Sequence, residues 1–377
     1  MKKLNSLFLV IMLIFSLFEI SGAQNLNRQV FPDMELKNQR RLIEVPGIDG
    51  YITLKCDFHM HTIFSDGAVW PETRVEEAWA DGLDVIAITD HDTYHPHKEY
   101  LNSDNNTHYK IACESAREKN IILIHAIEIT RKMPPGHFNA LFITDGNIPE
   151  LNDTSRQAFL TSVEKLHNQG AVIFWNHPGW AVQQKDTVKW FGIHQTLTDK
   201  GWLNGIEVFN SNEWYPVALQ WAMTKNLAPL ANSDVHDPMR FAYNYQDNFI
   251  RPMTLVFAEE PTEKSIRQAI LDKRTVAWFN GHLAGSEDLL GKLFDRSLKI
   301  QKLYSSKGKT KYQVSNATDF TFQLKGLSKE WPGQLELLPR SAMIITVPEQ
   351  VKSIKTEITN WHIGLKENLA KELILDK

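Results

Sequence analysis

Two histidines near residue 60 have the type and spacing needed to bind a metal ion. His59 and His61 end a short apolar stretch, residues 52–58, that is predicted to form a β-strand. Alternate residues of a strand point to the same face, so both imidazoles would face the same way. The spacing therefore predicts two ligands that share one metal ion.

Further histidines and carboxylates follow the next predicted strands in the same way. Asp66 lies in a loop that leads through Pro71 into an amphipathic helix over residues 72–80, and a buried strand over 85–88 ends at His91. In a βα-barrel the carboxyl ends of the strands meet at one face, where active sites are built. The same arrangement is predicted later, with Glu128 after residues 121–124, His137 in a strand over 137–142, His177 after 171–175, and Asp234 and His236 after 228–231.

The elements that position these residues are short strands that alternate with helices over residues 51–291. This rhythm predicts a barrel of parallel α/β units, which would be the catalytic domain. From residue 292 to residue 377 apolar and polar residues alternate between turns, which predicts a small antiparallel β domain without a catalytic cluster. The 377 residues, 42% of them apolar, suffice for both parts.

The charge argues against one class of partner. The formal net charge is −4, and binding to a nucleic-acid backbone usually needs a basic face. We therefore expect a small-molecule substrate and no nucleic-acid surface.

The first 23 residues have the pattern of a cleaved signal peptide. Lys2 and Lys3 precede an apolar run over residues 7–18, and Ser21 and Ala23 stand at the −3 and −1 positions of a cleavage site. The run is too short for a permanent transmembrane anchor, and no cysteine for lipid attachment follows it. We therefore expect a periplasmic or secreted protein, with residues 24–50 as a polar lead-in to the barrel.

The two cysteines, Cys56 and Cys113, do not form a disulfide scaffold. Cys56 falls in the first predicted core strand and Cys113 on a predicted helix. Two free, buried thiols are the simpler interpretation, and a single disulfide stays open because it depends on their separation in space.

Seven motifs follow one another along the chain, and they are HMH, SDG, ITDHD, a Glu after the third strand, a His within a strand, NHP and SDVH. In this order they resemble the PHP (polymerase and histidinol phosphatase) superfamily over roughly residues 52–280. The resemblance implies a distorted seven-stranded βα-barrel, here followed by the small β domain. It also implies up to three metal ions, the first held by His59, His61, Glu128 and Asp234, the second by Glu128, His137 and His177, and the third by Asp66, His91 and His236.

Many PHP proteins hydrolyse phosphate esters, so the resemblance implies that chemistry here. Imidazole and carboxylate ligands suit zinc, manganese or iron(II), and two to three such ions are expected. A water bridging two ions loses its proton near neutral pH, giving a hydroxide that can attack phosphorus. We expect Glu128, Asp66, His91 and His236 to be catalytic through the ions they hold, without a protein nucleophile.

Basic residues in loops after the catalytic strands are candidates for substrate binding. Lys98, Arg131 and Arg240 can each hold a phosphate oxygen, although each can also be an ordinary surface charge. Asp57 shares the face of the two strand histidines and either orients one of them or bonds to the backbone.

Other residues near the predicted ligands have two open interpretations. Asp90 and Asp92 flank His91, and one of them can support it. We expect His125 beneath the site and His95 and His97 in a solvated loop. Trp175, Trp180, Trp214 and Tyr215 either line an apolar wall for an organic group or belong to the core.

The layout favours an exported phosphodiesterase that acts on small organic phosphodiesters. A phosphomonoesterase must hold a dianion, which usually calls for several basic side chains, and PHP monoesterases of histidine biosynthesis and nucleotide salvage are cytosolic. A phosphomonoesterase, a non-catalytic exported metal-binding module and a metal hydrolase of the amidohydrolase type remain as alternatives. The amidohydrolase type would lack the TDHD and SDVH motifs.

Overall fold

The computed structural model describes residues 39–185, 187–243, 249–329, 331 and 333–375. The described residues from Arg40 onward form one compact unit. The predicted signal peptide and residues 24–38 of the lead-in lie outside the described residues. No helix among the described residues is long and apolar enough to cross a membrane.

Eight α-helices are described, and local signals in the sequence explain where several begin. Pro71 occupies the first turn of α1, and the hydroxyl oxygen of Ser155 accepts the Ala158 N–H at the start of α3. The helices are α1 (Pro71–Ala80), α2 (Thr107–Glu118), α3 (Arg156–Asn168), α4 (Gly192–Asp199), α5 (Pro216–Thr224), α6 (Met239–Ala242), α7 (Glu263–Leu271) and α8 (Glu287–Ser297).

The described strands carry most of the core. They are β1 (Ile52–Asp57), β2 (Val85–Ile88), β3 (Ile122–Ile129), β4 (Phe138–Leu141), β5 (Val172–Trp175), β6 (Gly205–Asn210), β7 (Glu213–Trp214), β8 (Ala228–Asn232), β9 (Met253–Ala258), β10 (Thr275–Phe279), β11 (His282–Ala284), β12 (Leu298–Ser306), β13 (Lys309–Asn316), β14 (Phe322–Gly326), β15 (Gln334–Leu337), β16 (Ala342–Pro348), β17 (Ser353–His362) and β18 (Asn368–Ile374).

Strands near the site are buried on both faces, which explains their continuous apolar sequences. In β2, Val85 and Ala87 belong to the interior cluster that contains Phe58, whereas Ile86 and Ile88 pack with the helix-side cluster. The first cluster joins residues of these strands to Ile266, Ala269 and Ile270 of α7, and the second joins them to residues of α1, α2 and α8. Both faces together hold the strand ends in place.

The large sheet is mixed and not purely parallel. Its strand order is β15-β14-β17-β11-β10-β9-β1-β2-β3-β4-β5-β6-β7, with β18 beside β17 and β8 beside β6. β1, β2 and β3 run parallel, as do β5, β6 and β8, whereas β4 is antiparallel to β3 and β5, and β9 to β1. The expectation of purely parallel units was wrong here, because β3 and β4 are joined by a short loop that cannot form a crossover.

A closed barrel is not confirmed, because backbone pairing among the described residues leaves β8 bonded to β6 alone. Side chains bridge the gap to β9 and β10 instead. The Thr254 hydroxyl accepts the Ala231 N–H at 2.9 Å and donates to the Ala231 carbonyl at 2.9 Å. The Thr275 hydroxyl donates to the Pro229 carbonyl at 3.0 Å. We call these contacts the threonine seam.

The C-terminal strands divide between two sheets. β12, β13 and β16 form a separate small antiparallel sheet, whereas β14, β15, β17 and β18 join the large sheet through the parallel β11–β17 pair. The predicted border between residues 291 and 292 falls inside α8, and the division into a barrel and a β domain stays a prediction. Sequence patterns missed α4, α6, α8, β7, β11 and β18. Residues 292–297 were predicted to belong to the β domain, but they form the second half of α8.

Candidate metal centre

Two histidines and an aspartate converge at the end of β1. The Nε2 atoms of His59 and His61 are 3.1 Å apart, and Asp234 Oδ1 is 3.1 Å from each. Glu128 places Oε1 3.4 Å from His59 Nε2 and Oε2 3.6 Å from His61 Nε2. Donor atoms around a tetrahedral metal with bonds of about 2.1 Å are separated by roughly 3.4 Å, so this spacing fits one ion.

The far sides of the two imidazoles determine their tautomers. His59 Nδ1 is 2.9 Å from the acceptor Glu207 Oε1. His61 Nδ1 is 3.2 Å from the Ser65 oxygen, whose proton is donated to Asp90. Each Nδ1 therefore carries the hydrogen, and the two Nε2 lone pairs face each other. Such lone pairs repel unless a metal ion or a proton lies between them, and with Asp234 and Glu128 closing the group these residues fit a metal ion.

A second group forms around Asp66. Its Oδ1 lies 3.4 Å from His91 Nε2 and 3.2 Å from His236 Nε2, and His61 borders the same group. Asp66 Oδ1 is buried without a hydrogen-bond partner among the described residues. A buried carboxylate oxygen without a donor is costly, and a cation would satisfy it. This group matches the third predicted ligand set, with His61 added.

A third group contains His59, Glu128 and His177, with Glu128 Oε1 3.6 Å from His177 Nε2. Predicted ligand His137 lies beside this group but is not part of it. His137 Nδ1 is 3.1 Å from Glu128 Oε1, and the Gln183 amide lies 2.9 Å from His137 Nε2. The structure therefore brings eight of the nine predicted ligands into three groups and places the ninth in contact with Glu128.

Unusual backbone conformations aim two of these side chains. His177 has φ 26° and Asp234 φ 52°, in the left-handed region that costs energy for residues other than glycine. Gly67 is needed for a different reason, since a Cβ there would lie 2.6 Å from the His61 carbonyl carbon and oxygen. The loop that carries Asp66 can therefore press against the backbone of His61 only with glycine at this position.

The three groups open into a cavity of about 340 Å³. Beyond the candidate ligands it is lined by Trp180 and by residues 210–213, including Glu213. Cavities of about 440 and 510 Å³ elsewhere contain none of the nine predicted ligands. Chemistry rather than size therefore identifies the candidate site.

The sequence profile of the PHP domain matches residues 57–306, about two thirds of the chain. The chain belongs to the PHP family. The matched segment includes all nine predicted ligands, and it also extends past the predicted domain border into β12.

One solved structure is similar to nearly the whole chain. It is a two-domain protein from Bacteroides vulgatus, described as containing a PHP-like metal-dependent phosphoesterase, with 39% identity and a TM-score of 0.85 over 89% of this chain and 99% of that one. An uncharacterised protein from Methanocaldococcus jannaschii is 36% identical over 84 residues, 22% of this chain and 36% of that protein. A protein from Bifidobacterium adolescentis, described as a metal-dependent phosphoesterase, matches 48% of this chain and 87% of that one at 19% identity and a TM-score of 0.38.

Glu207 is a residue of this PHP domain that sequence reasoning missed. Its fully buried carboxylate accepts hydrogen bonds from His59 Nδ1, the His177 N–H at 2.6 Å, Asn210 Nδ2 at 2.8 Å and Asn232 Nδ2 at 2.9 Å. Glu207 therefore orients His59 through its ring and His177 through its backbone N–H. A carboxylate in the middle of the otherwise apolar strand GIEVFN was the available signal.

Arg74 on α1 was also missed. Its buried guanidinium donates to the carbonyls of His61 at 2.8 Å, Val235 at 3.1 Å and His236 at 2.6 Å. It therefore ties together the backbone of the two loops that carry HMH and SDVH. The available signal was its place on the apolar face of α1, with Pro71, Val75 and Ala78.

The aspartates near the PHP motifs support backbone and loops. Asp57 accepts the His59 and Ser233 N–H groups at 3.2 Å and pairs with Arg251 at 2.5 Å, so it acts through the backbone. Asp90 accepts Thr62 N–H at 2.7 Å. Asp92 forms a buried ion pair with an arginine of the loop after β3.

Charge balance sets the pKa values of the candidate ligands. Burial alone would lower the pKa of His59, but Asp234, Glu207 and Glu128 outweigh it and raise that pKa well above its usual value. Burial and the neighbouring His236 lower the pKa of His61 to about 4. The histidines lower the pKa of Glu128 well below its usual range despite its burial. The carboxylates therefore demand positive charge, which protons or metal ions can supply.

The predicted substrate-binding cations do not line the 340 Å³ cavity. Arg131 is buried, and its guanidinium donates to Asp92 at 2.8 Å and to the carbonyls of Thr130 and Leu151. Lys98 is exposed and borders the 510 Å³ cavity. Arg240 is exposed, with its guanidinium 4.7 Å from the Phe241 ring centre. The described wall of the cavity contains no lysine or arginine.

Of the four aromatic candidates, the structure places Trp180 alone in the cavity wall. Trp175 is a core residue stacked on His194, Trp214 stacks on Phe209, and Tyr215 is buried. His125 is buried and stacked on Tyr109, and burial lowers its pKa to about 4. His95 bonds the Phe64 and Asp92 carbonyls, and His97 is exposed. Both cysteines are free, Cys56 buried and Cys113 half-buried.

Proposed function

We propose that this PHP protein is a metal-dependent hydrolase of phosphate esters and that its substrates are small organic phosphodiesters. The observation that carries the proposal is the pair of facing Nε2 lone pairs of His59 and His61, closed by Asp234 and Glu128. Donor atoms from two imidazoles and two carboxylates around one point form a ligand set of the kind that divalent cations bind. The similarity to the Bacteroides vulgatus protein supports the phosphoesterase class.

The chain's own residues hold and orient the donors. Glu207 and Ser65 keep the hydrogens of His59 and His61 on Nδ1, so that both Nε2 atoms stay available. When bound, two to three divalent ions such as zinc, manganese or iron(II) would supply positive charge for phosphate oxygens and lower the pKa of a coordinated water. Hydrolysis adds one water, whose oxygen bonds to phosphorus while one P–O ester bond breaks and the leaving oxygen takes up a proton.

The charge of the site supports a diester over a monoester. A phosphodiester carries one negative charge, whereas a monoester carries close to two near neutral pH. Five carboxylates lie in or directly behind the site, which are Asp66, Glu128, Glu207, Glu213 and Asp234. They nearly balance three divalent ions, and no lysine or arginine of the described cavity wall adds positive charge. A monoanion therefore fits this site better than a dianion.

Export is part of the proposal and rests on residues 1–23 alone. We propose that this segment is removed during export, leaving a periplasmic or secreted enzyme that begins near Gln24. Sequencing the N-terminus of protein recovered from outside the cytoplasm tests this directly. A protein that keeps Met1 and stays in the cytoplasm would contradict it.

The test of the enzymatic proposal compares two substrates on metal-loaded protein whose metal content is measured. We expect faster hydrolysis of bis(4-nitrophenyl) phosphate than of 4-nitrophenyl phosphate. Glu128→Ala should abolish the activity, because Glu128 borders both His59 and His177. Glu114→Ala removes an exposed glutamate from α2 and is the matched control. Faster hydrolysis of the monoester would make the protein a phosphatase. If metal-loaded protein hydrolyses neither substrate, the result would favour a metal-binding role without catalysis.

A further inference from the structure

Two side chains in the wall of the 340 Å³ cavity are not needed to hold metal ions. Trp180 lies beside the candidate ligands, with its ring centre 5.3 Å from that of His177 and 5.9 Å from that of His137. Glu213 is in β7 and also lines the cavity. Both are half-buried, so both remain accessible to a molecule in the cavity.

Glu213 is a carboxylate without a cationic partner. Its Oε2 accepts a hydrogen bond from the Tyr215 hydroxyl. Burial, and then Glu213 itself, raises the pKa of Tyr215, so the hydroxyl keeps its proton and remains a donor. Among the described residues no lysine, arginine or histidine lies within ion-pair distance of Glu213. Glu213 is thus held in place by a neutral donor and is not paired with a basic side chain.

An indole ring and an unpaired carboxylate in one wall have a defined chemical preference. The electron-rich face of tryptophan attracts quaternary or protonated ammonium groups, and a nearby carboxylate adds charge attraction. The same carboxylate repels additional negative charge on the substrate. Neutral apolar groups would be bound through contact with the ring but would not be attracted by the carboxylate.

We propose that Trp180 and Glu213 select phosphodiesters whose alcohol carries a cationic ammonium group. This inference rests on the proposed phosphodiesterase function and deepens it by naming the substrate class. The phosphate lies on the side of the histidine and carboxylate groups, and the ammonium end of the alcohol lies between the indole of Trp180 and the carboxylate of Glu213.

A pair of substrates of equal shape isolates the charge. One is 4-nitrophenyl phosphocholine, and the other is 4-nitrophenyl 3,3-dimethylbutyl phosphate, in which carbon replaces the quaternary nitrogen. In each, water attacks phosphorus and the P–O bond to 4-nitrophenolate breaks, so the released phenolate reports the rate. We expect kcat/KM for the substrate with the quaternary ammonium group to exceed that for its carbon analogue roughly tenfold, as cation–π and carboxylate contacts together would give.

Glu213→Gln and Trp180→Leu should each bring this ratio towards one. Glu114→Gln removes one negative charge from the exposed surface of α2 and should keep the wild-type ratio, which controls for overall charge. Metal content is measured for every variant, so that a loss of ions is not mistaken for lost selectivity. A wild-type ratio near one, or a high ratio that survives Glu213→Gln, would overturn the inference.

A binding measurement separates this inference from the proposed function. Calorimetry on metal-loaded protein compares phosphocholine with 3,3-dimethylbutyl phosphate, and we expect tighter binding of phosphocholine. If it binds more tightly while no diester is hydrolysed, the proposed function is wrong and the ammonium preference stands. If diesters are hydrolysed but both pairs of compounds behave alike, the proposed function stands and the ammonium preference is wrong.

Discussion

Glu207→Gln is the substitution that tests how this site is held together. The wild-type carboxylate accepts four N–H groups, two at each oxygen, and is fully buried. Glutamine keeps the shape but has one oxygen, so its NH₂ group must face two donors. Each donor left unpaired in the interior costs roughly 1–3 kcal/mol, and the free energy of unfolding should fall by about 2–6 kcal/mol.

Metal affinity should fall as well, because Glu207 fixes the hydrogen of His59 on Nδ1. With glutamine in place the ring can adopt the other tautomer, whose Nε2 carries a hydrogen and cannot bind a metal ion. Loss of such a supporting carboxylate typically lowers metal affinity about 10- to 100-fold. Competition with a chromophoric chelator measures the affinity, and urea unfolding in excess chelator measures the stability of the metal-free protein.

Asp84→Asn is the matched control for Glu207→Gln. Asp84 also accepts several donors, from the Lys55 N–H at 3.0 Å and Arg40 at 2.9 Å, but it precedes β2 at the end away from the site. It should lower stability without changing metal affinity. If Glu207→Gln binds metal within about twofold of the wild type, Glu207 does not orient His59 for metal binding and the reasoning is refuted.

Two further substitutions test the sheet and the buried histidines. Thr254→Val removes both hydrogen bonds to Ala231 in the threonine seam and should lower the free energy of unfolding, measured in urea, by roughly 2–5 kcal/mol. This is about twice the effect expected for Thr275→Val, which removes one hydrogen bond. Equal effects would contradict the role of the threonine seam in joining β8 to β9 and β10. His194 accepts the Phe191 N–H at Nδ1, and burial lowers its pKa to about 4. As the pH falls, the imidazole of His194 is protonated in the unfolded chain before it is protonated in the folded protein, so stability present above about pH 6.5 should be lost towards pH 4. In excess chelator, the free energy of unfolding should fall by roughly 2–3 kcal/mol more in the wild type than in His194→Gln. An identical pH dependence of the two proteins would count against this tautomer.

Local patterns were sufficient for most elements near the site. The bounds of β2 match the predicted range, because a short apolar run between polar turns fits a strand in a sheet that is covered on both faces. β3 runs on to Ile129, past the predicted end, so Glu128 lies within the strand and not after it. Its last residues are buried by β4, a contact that apolar periodicity cannot reveal.

Chain order and residue type were enough to nominate the ligands, since histidines and carboxylates after consecutive strands must meet at one face. The residues that contact substrate could not be nominated from chain order and residue type in the same way. Arg131 and Trp175 had the right residue types and places in the chain, yet Arg131 is paired with Asp92 and Trp175 is stacked in the core. Basic and aromatic side chains serve many purposes, and burial and partners decide among them.

The sequence by itself determined the PHP family, most of the α/β elements near the site and the nomination of nine candidate ligands, because these depend on residue type, spacing and local periodicity. The tertiary structure decided which ligands share a group, that Glu207 and Arg74 hold them, and that Trp180 and Glu213 face the cavity. It also decided the mixed sheet and the threonine seam. The physical reason is distance along the chain: these contacts join residues far apart in sequence, and only packing brings them within hydrogen-bonding range.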